Sequence, residues 1–593
     1  MADSMYRIGA YRPIYLWAGP GTVRMNRLKF MNQPVDEAAH AEAHTKAGAG
    51  RVLEGMDCNW VHLMYDWGFP PEIEQEDWED FERAAQVYHS EGGKVFGYIQ
   101  TSNCVYTGSY RQKDWYARDP NGGKIFYYSG RYMACLIHPE WIEHLKEMAR
   151  GALARGADGI FFDNLWFGAM PISEFGAWLG PAGCFCDRCR QAYWDAHQEP
   201  IPQAVHKDDA SVRRYLRWRA DQVTNLVRTL REHIHTVRPS APISANDYDI
   251  YMRSAYVVYG IDLAQLAEVQ EITMIENFAL PAWQALPRPR LANNALTIRN
   301  ARSVVQGKAH LSTLSYDVGI GFDGLYAPRR YQQGLAEAAA CGASHTIKGT
   351  EYFVDGQHTV LTPPAFAPIH QAVGQFNRWL ETNQDLFAGL ENDASIGLLF
   401  PGEDLWLDWQ TLAPLYLGVG QSLLYEGIPW RVVHPGDSLD GLQTLIVFSA
   451  ESLAQTAPPP GLTVILAASL AGWGVHGRPL AERARTINAA VSTATHGLMN
   501  LYFSSKPAHR LMDKLGLPKL ITQTSLFYVP AEKKRRSLLA ALPGALFPRL
   551  HAAQPALLET WRRPGERQFH LVNYADTPQT VRLQLGAPVE AVV

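Results

Sequence analysis

No run of apolar residues in this 593-residue chain approaches the roughly 18 that a membrane-crossing helix needs, and its start, Met1-Ala-Asp-Ser-Met-Tyr-Arg7, lacks the apolar stretch of a secretory leader. The expectation is a cytoplasmic protein without a membrane partner. A basic stripe is also missing. The formal net charge is −5, and the one dense cationic run, Lys533-Lys534-Arg535-Arg536, reads as a solvated loop, so a nucleic-acid partner is not expected. Cysteine is scarce, with seven in all and none after Cys341, which rules out a disulfide framework and a thiol nucleophile in the last 250 or so residues. No His-x-His or similar His/Asp cluster ends an apolar run, and His62 falls inside one, which disfavours a catalytic metal centre. The chain is nevertheless too long for one core, since cores stop growing near about 300 residues; two or three domains are expected.

What is present is a repeated pattern before Asn392: a short apolar run with a polar or acidic end, a Gly/Pro-containing loop, then an amphipathic stretch. The runs number eight: Pro13–Trp17, Trp60–Asp66, Val95–Thr101, Gly159–Asp163, Pro242–Asp247, Glu271–Asn277, His310–Asp317 and Ser344–Glu351. Helical patterns such as Glu140–Arg155, Ser211–Val237 and Arg329–Cys341 separate them, which predicts parallel strands closed into a (β/α)8 barrel over residues 1–390. A second α/β pattern, residues 391–528, has strand candidates at Ala394–Phe400, Trp430–Val433, Thr444–Phe448 and Thr463–Ala467, with a surface loop at Pro458-Pro459-Pro460. Residues 529–593 carry alternating runs, Gln568–Tyr574 and Thr580–Leu585, of a small antiparallel β unit.

Cys184, Cys186 and Cys189 form C-x-C-x-x-C after the fourth run, and three thiols so close favour a metal over disulfides. This motif, together with Gly130-Arg-Tyr-Met-Ala-Cys135 and His138-Pro139-Glu140 before the fourth run, resembles the zinc-binding region of the family-42 β-galactosidases. The resemblance implies a structural zinc on Cys135, Cys184, Cys186 and Cys189, with Cys104 the substitute for Cys135. It also implies a flavodoxin-like trimerisation domain after the barrel, and hence a homo-oligomer, possibly a trimer, with Trp406, Leu407 and Trp409 helping to bury the interface. The fourth run departs from the family: it ends Asp163-Asn164-Leu165, with Leu165 where the family has its acid/base Glu. Gly156-Ala-Asp-Gly-Ile-Phe-Phe-Asp163 is closer to uncharacterised barrel hydrolases and to α-glycosidase families whose nucleophile is an Asp ending the fourth strand.

Glycoside hydrolysis needs two carboxyl groups flanking the scissile bond, and the runs end in several. Asp163 follows Ile160-Phe-Phe162 and Glu276 follows Ile272-Thr-Met-Ile275, so both acids emerge from apolar runs onto the catalytic end of a barrel; Asp163 is expected to be the nucleophile and Glu276 the acid/base of a retaining enzyme acting on a terminal sugar. Asp247, Asp249 and Asp317 are alternatives. The 17 Trp, 27 Tyr and 22 Phe include flat faces suited to pyranose rings. By position, Tyr65, Asp66, Trp67, Tyr98, Gln100, Asn164, Trp166, Asn246, Asp247, Asn277, Tyr316, Asp317 and Glu351 are candidate sugar contacts. The rival readings are a carbohydrate-binding relative without activity and a metal-dependent barrel hydrolase.

Overall fold

The computed structural model describes residues 6–16, 34–127, 130–168, 182–202, 209–248, 255–277, 280–285, 289–315, 325–350, 352–473, 529–543 and 547–585. Eight parallel strands close into a barrel in sequential order: β1 (Pro13–Tyr15), β2 (Trp60–Asp66), β3 (Lys94–Gln100), β4 (Gly159–Asp163), β5 (Ile243–Asn246), β6 (Ile272–Asn277), β7 (His310–Ser315) and β8 (Ser344–Lys348). Closure is made at Ile14, which pairs with Val61 on one side and Ile347 on the other. The strands read as near-continuous apolar runs because both faces are covered, one by the barrel interior and one by helices.

Side-chain alternation sorts the two faces. Tyr15, Trp60, Met64, Phe96, Tyr98, Phe161, Ile272, Met274 and Leu314 fill the interior. Ile14, Val61, Leu63, Val95, Ile99, Ile160 and Phe162 face outward into the layer of helices. His62 belongs to the interior: it stacks on Phe96 at 4.7 Å, neither ring nitrogen has a hydrogen-bond partner among the described residues, and burial pushes its pKa down to about 3. It is a packed, neutral ring.

The longest of the flanking helices are α1 (Pro71–Ser90), α2 (Pro139–Ala154), α3 (Asp187–His197), α4 (Ala210–Val237), α5 (Ala295–Val305), α6 (Pro328–Ala340) and α7 (Ala367–Thr382). The α4 sequence explains its own length. Asp209 caps it by accepting from the Ser211 N–H at 2.8 Å, and Val212, Leu216, Val223, Val227, Leu230 and Ile234 recur at helical spacing to make one buried stripe.

After the barrel, β9 (Ile396–Leu399), β10 (Arg431–Val433), β11 (Thr444–Val447) and β12 (Thr463–Leu466) form a parallel sheet in the order β10-β9-β11-β12, with α8 (Trp409–Tyr425) between the first two. Trp406 and Leu407 pack on the α4 face beside Tyr256, and Trp406 stacks on that ring at 4.6 Å, so part of the surface expected at an oligomer interface is used within the chain.

The basic run is a correction. Lys533 to Arg536 lie in a helix, Glu532–Ala541, not a loop, because Arg535 pairs with Glu426 at 2.8 Å and Leu538 on the same helix is buried. The tail then forms the antiparallel hairpin β13 (Ala556–Arg563) and β14 (Glu566–Asn573), while Arg549–Ala552 pairs with Val581–Gln584. The hairpin is anchored on barrel helices. Arg299 of α5 meets Glu559 at 2.6 Å with both side chains almost fully buried, Cys341 donates to the same carboxylate, and Trp561 Nε1 donates to the Ala340 carbonyl at 2.9 Å. A buried pair of this kind is sensitive to loss of either partner, which strands the other charge.

Candidate active site

Inward-facing positions at the C-terminal ends of the strands bring Tyr98 and Gln100 of β3, Asp163 of β4, Asn246 of β5 and Glu276 of β6 together. The centre is Asn246. Its side-chain Nδ2 donates to Asp163 Oδ1 at 3.0 Å and to Glu276 Oε2 at 2.8 Å. Two hydrogens about 120° apart on one nitrogen hold the two accepting oxygens about 5 Å from each other.

Asp163 receives two further bonds, both on Oδ2, from the Tyr98 hydroxyl and from Asn164 Nδ2 at 2.8 Å. Asn164 adopts a left-handed backbone (φ 55°), one that Asn tolerates better than most residues, and Tyr248 donates its hydroxyl to Asn164 Oδ1 at 2.8 Å to hold it there. Burial raises the Asp163 pKa, while the bonds from Tyr98, Asn246 and Asn164 act in the opposite direction. Glu276 has less help. Burial pushes its pKa up to about 7, with the Asp163 charge adding to the rise and the Asn246 bond and the Lys348 charge opposing it. Two carboxyl groups thus share one amide yet sit in unequal environments, one surrounded by donors and one not.

Tyr98 also lies 2.9 Å from the Gln100 amide. A phenol has one proton to share between Asp163 and Gln100 Oε1, and Gln100 Nε2 is buried without a hydrogen-bond partner among the described residues. Asn246 Oδ1 and Trp166 Nε1 are likewise buried without a hydrogen-bond partner among the described residues. Trp166 lies flat on Tyr259 at 4.1 Å and meets Tyr127 edge-on. Trp67 stacks on Tyr98 at 5.9 Å beneath the Arg131 guanidinium.

Three of the expected contacts are not brought to this centre. Tyr65 points out of the barrel wall and stacks on Trp78 of α1 at 5.7 Å. A bulge between Met64 and Asp66 sets Asp66 in register with the outward-facing Ile99, and its carboxylate accepts from the Gly68 N–H at 2.9 Å beside buried Glu74. Asp247, one residue past the inward-facing Asn246, accepts from Gln270 on the outer side. Tyr316, Asp317, Glu351 and the alternative Asp249 lie outside the described residues, as does the side chain of Asn277. Sequence reasoning passed over Lys348, Tyr248 and Tyr259. Lys348 was legible, since it stands two positions past the inward Thr346; Tyr248 lies two residues past β5 and Tyr259 ends a π-helical turn, Ala255–Tyr259, and strand periodicity encodes neither.

The four cysteines also meet. Their sulfurs all lie within 4.8 Å of one another, with Cys135 Sγ 3.6 Å from Cys189 Sγ and 3.8 Å from Cys186 Sγ. Four thiolates at about 2.3 Å from one tetrahedral ion stand about 3.8 Å apart, so the set fits a soft four-coordinate metal. Cys135 follows a short strand, Arg131–Met133, in the excursion after β3; Cys184 and Cys186 precede α3, and Cys189 is in its first turn. Cys104, the stated substitute, is elsewhere, with its thiol toward Tyr116.

No family model matches the chain, and no curated protein matches it. Among solved structures it is similar to a cold-adapted β-galactosidase from Rahnella sp. R3 (TM-score 0.52, 15% identity, 74% of this chain and 67% of that one). It is also similar to a catalytic mutant of a family-42 β-galactosidase from G. stearothermophilus (TM-score 0.51, 13% identity, 77% and 71%). An α-L-fucosidase from Paenibacillus thiaminolyticus aligns with a TM-score of 0.48 at 15% identity over 74% of this chain, which spans 60% of the fucosidase. At these identities the likeness to the two galactosidases is one of fold, and the fold shared is the (β/α)8 barrel.

Proposed function

We propose that this chain is a retaining glycoside hydrolase that removes a terminal sugar, with Asp163 as nucleophile and Glu276 as general acid/base. The observation that carries the reading is the Asn246 amide donating to both strand-end carboxyl groups, at 3.0 and 2.8 Å; with its two N–H directions about 120° apart the bonded oxygens stand about 5 Å from each other, nearer the spacing of retaining than of inverting enzymes. Asp163 Oδ2 already accepts twice, so Oδ1 is the attacking oxygen. It bonds to the anomeric carbon as the bond to the leaving oxygen breaks, and Glu276 gives its proton to that oxygen. Glu276 then takes a proton from water, whose oxygen displaces Asp163. Gln100, Asn246 and Trp166 offer polar atoms to sugar hydroxyls. A panel of α- and β-nitrophenyl glycosides, with the product anomer followed by NMR, tests this: turnover of one anomeric series with retention is expected, and binding without turnover across the panel, or inversion, sinks it.

The same reading takes residues 1–390 as the catalytic barrel, 391–528 as a flavodoxin-like unit, which the β10-β9-β11-β12 order supports, and 529–593 as a β unit, in a cytoplasmic homo-oligomer, possibly a trimer. Zinc on Cys135, Cys184, Cys186 and Cys189 would tie the loop after β3 to the loop after β4 and supply no Lewis acid to the reaction, since a closed four-thiolate site has no open position. Purified protein is expected to hold about one zinc per chain, and Cys184→Ser to lose it with a fall in activity of at least about tenfold while barrel circular dichroism persists. Elemental analysis finding wild-type protein metal-free, with all four thiols alkylated freely, rules the site out.

A further inference from the structure

A cavity of about 190 Å³ lies at the end of the barrel away from Asp163 and Glu276. His310, the first residue of β7, marks that end; Phe387 and Leu390 from the segment leaving the barrel wall one side, and Trp561 of β13 the other. No Asp or Glu is among its described lining residues. Its one Arg or Lys among them is Arg302, in the last turn of α5.

Arg302 is held but not paired. Its guanidinium carbon sits 4.2 Å over the Trp561 ring, which is itself fixed by the bond to the Ala340 carbonyl. Its Nε is shut off from solvent, and none of its five donors finds an acceptor among the described residues. Glu559, whose charge reaches Arg302, is committed to Arg299 at 2.6 Å. His310 adds no charge: burial keeps it neutral, and its Nε2 meets Ser344 Oγ at 2.9 Å. A planar donor fork clamped on an aromatic ring, facing a cavity without a carboxylate, complements an oxyanion.

We propose that this cavity is a binding site for a phosphate-type oxyanion, gripped by Arg302 with the Gln306 amide at the lip, between α5 and the C-terminal hairpin. It is remote from the proposed catalytic centre and stands whether or not that centre cleaves glycosides. The test is isothermal titration of the full chain with sodium phosphate and, in a second arm, with glucose 6-phosphate, each against sodium chloride of matched ionic strength. Wild type should bind saturably. Arg302→Met, which keeps the stem on Trp561, should weaken binding at least tenfold, with its melt in chloride showing that it is folded. Arg302→Lys keeps the charge but loses the fork; it should weaken binding severalfold, and it preserves a readout should the Met variant misfold. Tighter binding of glucose 6-phosphate identifies a phosphorylated sugar as the occupant, and equal binding identifies free phosphate. No saturable heat with either probe, or Arg302→Met and wild type binding alike, overturns the proposal.

Discussion

Replacing Asp163 by Asn is expected to lower kcat by about ten-thousandfold or more, a barrier increase of about 5 kcal/mol, while the circular dichroism of the barrel stays unchanged. The reason is chemical, because an amide oxygen cannot open a covalent route through the anomeric carbon. The size follows from the surroundings: Tyr98, Asn164 and Asn246 aim three donors at this side chain, an arrangement suited to an anion and wasted on a neutral amide. A second variant separates a lost nucleophile from a disturbed site. Asp163→Gly leaves space beside Asn246, and azide added to it should restore turnover of an activated glycoside by forming a glycosyl azide whose anomeric configuration is opposite to the substrate's. Activity of Asp163→Asn within about tenfold of wild type, less than about 1.4 kcal/mol, would assign the nucleophile elsewhere. With Asp247 turned to Gln270, Asp317 would be the acid to examine next.

The barrel was legible because each of its strands is buried on both faces. Gly159–Asp163 is apolar throughout until its final carboxylate and Trp60–Asp66 is so apart from the packed His62, and both are buried along their whole length. Direction within a strand was harder to read. Asp163 and Glu276 face inward by even alternation from Phe161 and Met274, whereas the bulge at Met64 shifts Asp66 outward, and no local feature of Tyr65-Asp66-Trp67 announces it. Asp247 failed by parity alone: the inward position of β5 is Asn246, a neutral residue easily passed over beside an acid. The four-cysteine cluster joins two loops 49 or more residues apart in sequence, so spacing identified three sulfurs and only the family resemblance supplied Cys135. The basic run looked solvated because its hydrophobic partners, Leu538 and the wall it packs on, lie outside the run itself.

Glu276 is where activity and stability oppose each other, and a pair of substitutions exposes both. As general acid it must hold a proton, so in wild type kcat/KM falls as pH rises through about 7, where that proton is lost. Glu276→Ala should abolish this alkaline limb. It should slow glycosides with poor leaving groups by about a thousandfold and dinitrophenyl glycosides far less, since only the former depend on protonation of the departing oxygen. The stability effect follows from the same shift. The folded-state pKa is raised from 4.5 to about 7, so folding binds the Glu276 proton more tightly; the stabilisation is complete below the unfolded pKa and is lost as pH rises through the folded one. Relative to pH 4, wild type at pH 9 is therefore less stable by about 3 kcal/mol on account of this one buried carboxylate. Glu276→Gln keeps the shape and the Asn246 contact without the charge, so thermal melts should show it more stable than wild type at pH 9 and no different at pH 4 to 5. If the Gln variant gained nothing at high pH, or the Ala variant kept the alkaline limb, Glu276 would not be the group that titrates near 7, and the acid/base would have to be sought beyond the Asn246 bridge.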